Sequence, residues 1–219
     1  MKSLHQWQLK DIIMVAILSL FFSVIYLGTI NLALMAGAAL TPFGLQQFAI
    51  EAVFGVWFTA GTLSGYIMRK PGVAFITGMM SAVWQVPMGN PAGPLVIVSG
   101  IVQGLGAEAV FASFRYRQFN LKTMCLAAFG STVASFIWGF FRSGFLLILF
   151  DNPLLLLTMF IVRTTSGLLI AGLLMKLCGD RLAKSGVLKA YPISTYSENT
   201  SPIRAGVPEP AASPPEGQT

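Results

Sequence analysis

Six stretches of this chain, at 12–30, 45–68, 73–86, 95–114, 123–145 and 154–177, are apolar for about the length a helix needs to cross a bilayer. A spanning helix takes roughly 20 predominantly apolar residues. The stretch at 73–86 is the shortest and is rich in Gly and Met. It ends at Pro87-Met88-Gly89-Asn90-Pro91-Ala92-Gly93-Pro94, where successive turn formers break any helix. Only 10% of the residues are charged, against roughly 25% in a soluble domain. Such a chain cannot face water on all sides, so the expected fold is an all-α integral membrane bundle of six transmembrane helices.

The positive charges report orientation. The segment before the first span, the 69–72 connection, the 115–122 connection and the segment from Lys176 onward carry 2, 2, 3 and 5 Lys or Arg, which is 12 of the chain's 14. The alternate connections, 31–44, 87–94 and 146–153, carry none. Loops rich in Lys and Arg stay in the cytoplasm, so both termini are expected there. The net charge of +6 then belongs to one membrane face, and a nucleic-acid partner is excluded. The lipid bilayer is the first partner the sequence names. Residues 1–11 read as a cytoplasmic N-terminal segment and 12–180 as the membrane domain. Residues 181–219, with Pro, Ser, Thr and Glu in place of apolar anchors, read as a disordered cytoplasmic tail.

Several chemistries are missing. His5 is the only histidine, which removes zinc-protease motifs, His-based proton relays and a serine–histidine hydrolase. No GxxxxGK[ST] motif is present to cradle a nucleotide. Cys125 and Cys178 sit at expected cytoplasmic helix ends, where a disulfide is disfavoured, and with one distant His they make no metal signature. Neither an enzyme nor a bound cofactor is expected.

Charged side chains within hydrocarbon are costly and mark pairs or functional sites. Glu51, Glu108 and Arg163 are of this kind. Two readings fit: an ion pair such as Glu51 with Arg163 that holds two helices in register, or a carboxylate that faces a polar cavity and binds an amino-bearing ligand. Trp84, Gln85 and Asn90 lie at one expected outer end, and Trp57 is deeper in the second span. Trp138 and Arg142 are one helical turn apart and share a face. Tryptophan faces and amide edges suit a flat heterocycle. Ala16, Ser19 and Ser23 on the first span, Gly61 and Gly65 on the second, and Gly100 and Gly104 on the fourth have spacings that let helix backbones approach closely.

The segments Glu51-Ala52-Val53-Phe54-Gly55-Val56-Trp57-Phe58, Gly89-Asn90-Pro91-Ala92-Gly93-Pro94 and Gln103-Gly104-Leu105-Gly106-Ala107-Glu108-Ala109-Val110-Phe111 resemble the YkoE family. These are substrate-binding S-components of energy-coupling factor (ECF) vitamin transporters, linked to thiamine or its hydroxymethylpyrimidine precursor. The resemblance covers residues 8 to 180 in span order and loop placement. It implies a six-helix S-component fold with an outward-facing pocket closed by the outer loops. It also implies a small-molecule vitamin substrate, a transmembrane coupling protein and two cytoplasmic ATPase subunits. ATP hydrolysis on those partners would topple the S-component and release its vitamin inside. Many S-components dock through an Ala-xxx-Ala-like pattern on the first span. Here Ala16, Ser19 and Ser23 hold that place, small but without the alanine pair. For an aminopyrimidine, Glu51 is the expected carboxylate, Trp84 or Trp138 the stacking partner, and Asn90 and Gln103 the edge groups. Glu108 could instead hold helices together, and an anionic ligand would favour Arg142 and Arg163. The alternative is an autonomous proton-coupled secondary carrier in which Glu51 or Glu108 titrates.

Overall fold

The structure, a computed structural model, describes residues 7–193. The first helix, α1, spans Leu9–Leu40, about 48 Å at 1.5 Å per residue. It outruns the expected first span by ten residues, because Ala, Leu and Met fill the stretch after Ile30 and are strong helix formers. The helix stops only where Pro42 and Gly44, the latter at φ +67°, turn the chain. The connection expected at 31–44 is therefore mostly helix.

The second span is one apolar segment, Gln46–Met68, but not one regular helix. It divides into α2 (Gln46–Val53), a 3-10 stretch (Phe54–Phe58) and α3 (Thr59–Met68). After it come α4 (Val73–Gln85), α5 (Leu95–Ser113), α6 (Leu121–Arg142) and the short α7 (Phe145–Asp151). The last span consists of α8 (Pro153–Ser166), a π-helical stretch (Gly167–Leu174) and α9 (Met175–Lys184). Five of these segments are long and apolar enough to cross a membrane: Leu9–Phe43, Gln46–Met68, Leu95–Ser113, Leu121–Arg142 and Pro153–Lys184. At 13 residues α4 is shorter, about 20 Å. The described residues contain helices and turns and no strand.

Small residues set the helix spacing. A Cβ on Gly100 would lie 2.5 Å from that of Ala82, and one on Gly104 would lie 2.9 Å from the Phe75 carbonyl oxygen, so α4 and α5 touch backbone to backbone. Gly106 and Gly130 do the same for α5 and α6. Gly61 faces Ala74, and Gly65 lies under the Phe111 ring. Ala at position 106 would place its Cβ 2.5 Å from the Gly130 oxygen. Gly106→Ala is expected to destabilise the bundle by about 1–3 kcal/mol, read as a lower thermal midpoint in detergent; an unchanged midpoint would contradict this contact.

Ser19 and Ser23 are fully buried. Their hydroxyls donate to the carbonyls of Ala16 and Leu20. Of the three residues expected to form a docking face, only Ala16 is exposed, so the spacing serves packing inside the bundle. Both serines fall on the polar side of α1, and that side turns inward because lipid excludes it.

The charged loops gather at one end. Asp11 pairs with Lys70 at 2.5 Å, and Lys176 with Asp180 at 2.5 Å. The chain past α9 turns at Gly186, φ +79°, and buries Leu188, Tyr191 and Ile193. The Tyr191 hydroxyl donates to the Lys10 carbonyl, and Lys10 Nζ donates to the Ala190 carbonyl. Burial, and secondarily the Asp11 carboxylate, raise the Tyr191 phenol above its usual pKa. Packed structure thus continues through Ile193, past the boundary expected at 180; the rest of the expected tail, 194–219, and residues 1–6 of the N-terminal segment lie outside the described residues.

Candidate substrate-binding site

At the end of the bundle away from the charged loops, a cavity of about 270 Å³ opens between α1, α4, α5, α6 and α8. Its volume is near the lower bound of small-molecule sites, roughly 300–1,000 Å³, so it suits one or two small rings. Tyr26, Ile30 and Leu34 of the long α1 form one wall. Of the ten extra residues of that helix, Leu34 lines the pocket. Phe54 and Trp57 enter from the 3-10 stretch, Ser81 and Gln85 from α4, Ser99 and Gln103 from α5, and Ser135, Trp138 and Arg142 from α6. Arg163 enters from α8, and Asn90, Pro91 and Ala92 from the Pro/Gly loop.

The polar groups divide into engaged and open ones. Asn90 Nδ2 donates to Gln85 Oε1 at 2.8 Å, and Asn90 Oδ1 accepts from the Ala92 amide at 2.8 Å. Gln85 Nε2 donates to the Ser81 carbonyl at 3.1 Å. These bonds tie the loop to the end of α4. Trp138 Nε1 donates to Ser99 Oγ at 3.1 Å, which fixes the indole in the wall. The Gln103 carboxamide, by contrast, has no hydrogen-bond partner among the described residues; only its backbone carbonyl is used, by Ser131. Arg142 likewise has no ion-pair partner among them.

Of the sequence-expected residues, the structure brings Trp57, Asn90, Gln103, Trp138 and Arg142 together on the cavity. Three lie elsewhere. Glu51 sits behind the wall, 3% exposed, in a bidentate pair with Arg163: Nε donates to Oε2 at 2.5 Å and Nη2 to Oε1 at 2.6 Å. Trp84 is 38% exposed and turned away, because its neighbour Gln85 occupies the inward position and adjacent helix residues do not share a face. Glu108 is near the charged end. Its carboxylate accepts from the backbone amides of Gly72, Ala74 and Phe75 at 2.6, 3.0 and 3.2 Å, and from the Tyr116 hydroxyl at 2.5 Å. That caps the positive end of the α4 dipole. Burial first, then Glu108 itself, raise the Tyr116 phenol well above its usual pKa, so it stays a donor.

Among the polar lining residues, Tyr26, Ser81, Ser99, Ser135 and Ser143 were not expected, Gln85 was singled out without a role, and Arg163 was expected only for an anionic ligand. For Ser81 and Ser99 a signal was present. Ser81 with Gln85, and Ser99 with Gln103, are polar pairs four residues apart on otherwise apolar helices, a spacing that places both members on one face.

The lining carries no His, Cys, Asp or Glu, and no group of three or more such residues able to hold a metal ion occurs among the described residues. The lining therefore offers apolar contact, aromatic faces and neutral or cationic hydrogen-bonding groups. A helical membrane bundle with a small, mostly uncharged pocket at the end opposite its basic loops is an architecture suited to a substrate-capture subunit of a transporter. Residues 10–134 match the family described as "ABC-type cobalt transport system, permease component". The "Putative HMP/thiamine permease protein YkoE" of Bacillus subtilis (strain 168) is 40% identical over 190 residues, 87% of this chain and 92% of that one. A solved structure described as "Crystal structure of an S-component of ECF transporter" superposes with a TM-score of 0.81 at 39% identity, over 91% of this chain and 97% of that chain. The chain belongs to the YkoE family and is a multi-pass membrane S-component of an ECF transporter, not an enzyme.

Proposed function

We propose that this S-component captures thiamine or hydroxymethylpyrimidine in the cavity, holding the aminopyrimidine ring that the two share. The observation that carries the reading is the unengaged Gln103 carboxamide in a pocket walled by Trp57 and Trp138. A carboxamide offers a donor and an acceptor side by side. An aminopyrimidine edge presents the complementary pair, an amine beside a ring nitrogen, as adenine does to Asn or Gln. The two indoles supply faces for stacking. The B. subtilis relative, whose printed name refers to HMP and thiamine, supports the same substrate class.

In this reading α4 and its loop complete six crossings with the five longer spans, both termini are cytoplasmic, and the cavity faces outward. The segregation of Lys and Arg supports that orientation. The ECF coupling protein and two ATPase subunits supply the energy. The proton-coupled alternative has less support: Glu51 is held by Arg163 and Glu108 by four donors, so neither carboxylate lines the cavity. Calorimetry on purified protein tests the proposal. Both ligands should bind, and Gln103→Leu should weaken them at least about tenfold, the loss of roughly 1.5 kcal/mol of hydrogen bonding. Trp84→Phe should leave affinity unchanged. If neither ligand binds the unaltered protein, the reading is wrong.

A further inference from the structure

We propose that Arg163 is a ligand-orienting group of this cavity and that Glu51 is the residue that positions it; the inference rests on the aminopyrimidine reading above. Arg163 is 3% exposed overall yet contributes to the cavity lining, while Glu51 does not. A guanidinium has five N–H donors. Nε and Nη2 each give one to Glu51, at 2.5 and 2.6 Å. Nη1 reaches only Ser135 Oγ, at 3.4 Å, a long contact at the weak end of the hydrogen-bond range. Ser135 is itself on the cavity wall, so Nη1 is directed to the side from which a ligand arrives.

The surroundings of Arg163 fix its plane. Phe54 covers the guanidinium carbon at 3.7 Å, and Phe136 and Phe145 lie at 5.2 and 5.5 Å. Glu51 forms the forked, two-bond arrangement that a lysine could not reproduce. Glu51 also cancels the charge, so the donor at Nη1 can meet a neutral ring nitrogen without placing a net charge beside it. A buried ion pair is weak evidence for stability, because desolvation offsets the attraction. Its position at the edge of the cavity gives it a binding role. The chemistry selects a flat, neutral ring with an in-plane acceptor nitrogen for Nη1 and an amine–nitrogen edge for Gln103.

Binding of hydroxymethylpyrimidine is compared with that of its two pyridine analogues, each with one ring nitrogen replaced by C–H. The unaltered protein should bind each analogue at least tenfold more weakly than the pyrimidine, since Gln103 engages one ring nitrogen and Arg163 the other. The charge-neutral variant Glu51→Gln/Arg163→Met should lose most of the difference for one analogue only, weakening the pyrimidine at least tenfold and that analogue hardly at all. Glu51→Asp keeps both charges but retracts the guanidinium by one methylene. It should narrow the difference at least threefold, and it provides the test if the double variant does not fold. Full discrimination against both analogues retained in either variant overturns the assignment of Arg163 and leaves the proposed function standing. Equal binding of all three compounds by the unaltered protein overturns the assignments of both Arg163 and Gln103. Failure of the unaltered protein to bind any of them overturns the proposed function as well.

Discussion

Arg163→Met alone should destabilise the bundle by about 3–5 kcal/mol, the usual result of removing one member of a buried ion pair. The substitution leaves Glu51, 3% exposed, with neither of its two guanidinium bonds. It also removes the cation from the faces of Phe54, Phe136 and Phe145. The damage should spread along two spans, because the pair sits one turn from where both depart from regular α-helix. The Gly55 amide donates to Ser166 Oγ at 3.0 Å. Just beyond, the 3-10 stretch Phe54–Phe58 packs on the π stretch Gly167–Leu174. Gly55 can take that place because it has no Cβ to overlap the Ser166 carbonyl. Thermal melts in detergent provide the readout. Adding Glu51→Gln should recover most of the loss, since two neutral groups then face one another. Equal instability of the single and double variants would show that packing, not the stranded charge, is responsible.

Glu108→Ala should cost roughly 3 kcal/mol and weaken ligand binding from the far end of the molecule. The carboxylate satisfies three amides at the start of α4 as well as the Tyr116 hydroxyl. Bonds to charged groups contribute about 1.5–3 kcal/mol each when lost singly, and the effects overlap because they share one group. Tyr116 is in a turn where both it and Arg115 have positive φ, 55° and 53°, a conformation disfavoured for side chains with a Cβ and held in place by that hydroxyl bond. With the cap gone, α4 is free to shift along α5. Because α4 carries Ser81 and Gln85 into the cavity, affinity should fall together with the melting point. Glu108→Gln should do less harm, as its amide oxygen still accepts. A lowered melting point with unaltered affinity would mean that α4 is positioned by α5 alone.

The spans were legible because lipid makes two simple demands: apolar length and backbone bonds closed within the segment. Breaks within spans were harder to see. The 3-10 turn after Val53 depends on Ser166, more than a hundred residues away, and no local pattern encodes it. The extension of α1 could have been read from its Ala, Leu and Met content, but a stretch without charges between two spans resembles a connection. For the site, hydropathy gave depth and left rotation open. Depth put Glu51, Trp84, Asn90 and Trp138 near the outer surface, with Trp57 deeper. Rotation then separated Trp84 from Gln85 and put Arg163 between Glu51 and the cavity. The choice between an ion pair and a ligand carboxylate for Glu51 depends on which helix α2 packs against, and that is a tertiary fact.

The four tryptophans allow the central claim to be tested directly, since Trp57 and Trp138 line the cavity and Trp7 and Trp84 do not. Trp7→Phe/Trp84→Phe protein is titrated with thiamine and with hydroxymethylpyrimidine while indole fluorescence is followed. Stacking on the cavity indoles should quench the emission saturably, at ligand concentrations that match the calorimetric affinity. The complementary variant, Trp57→Phe/Trp138→Phe, should show no such signal. Quenching that survives only in the complementary variant, or no saturable binding of either ligand, would contradict the placement of the vitamin in this cavity.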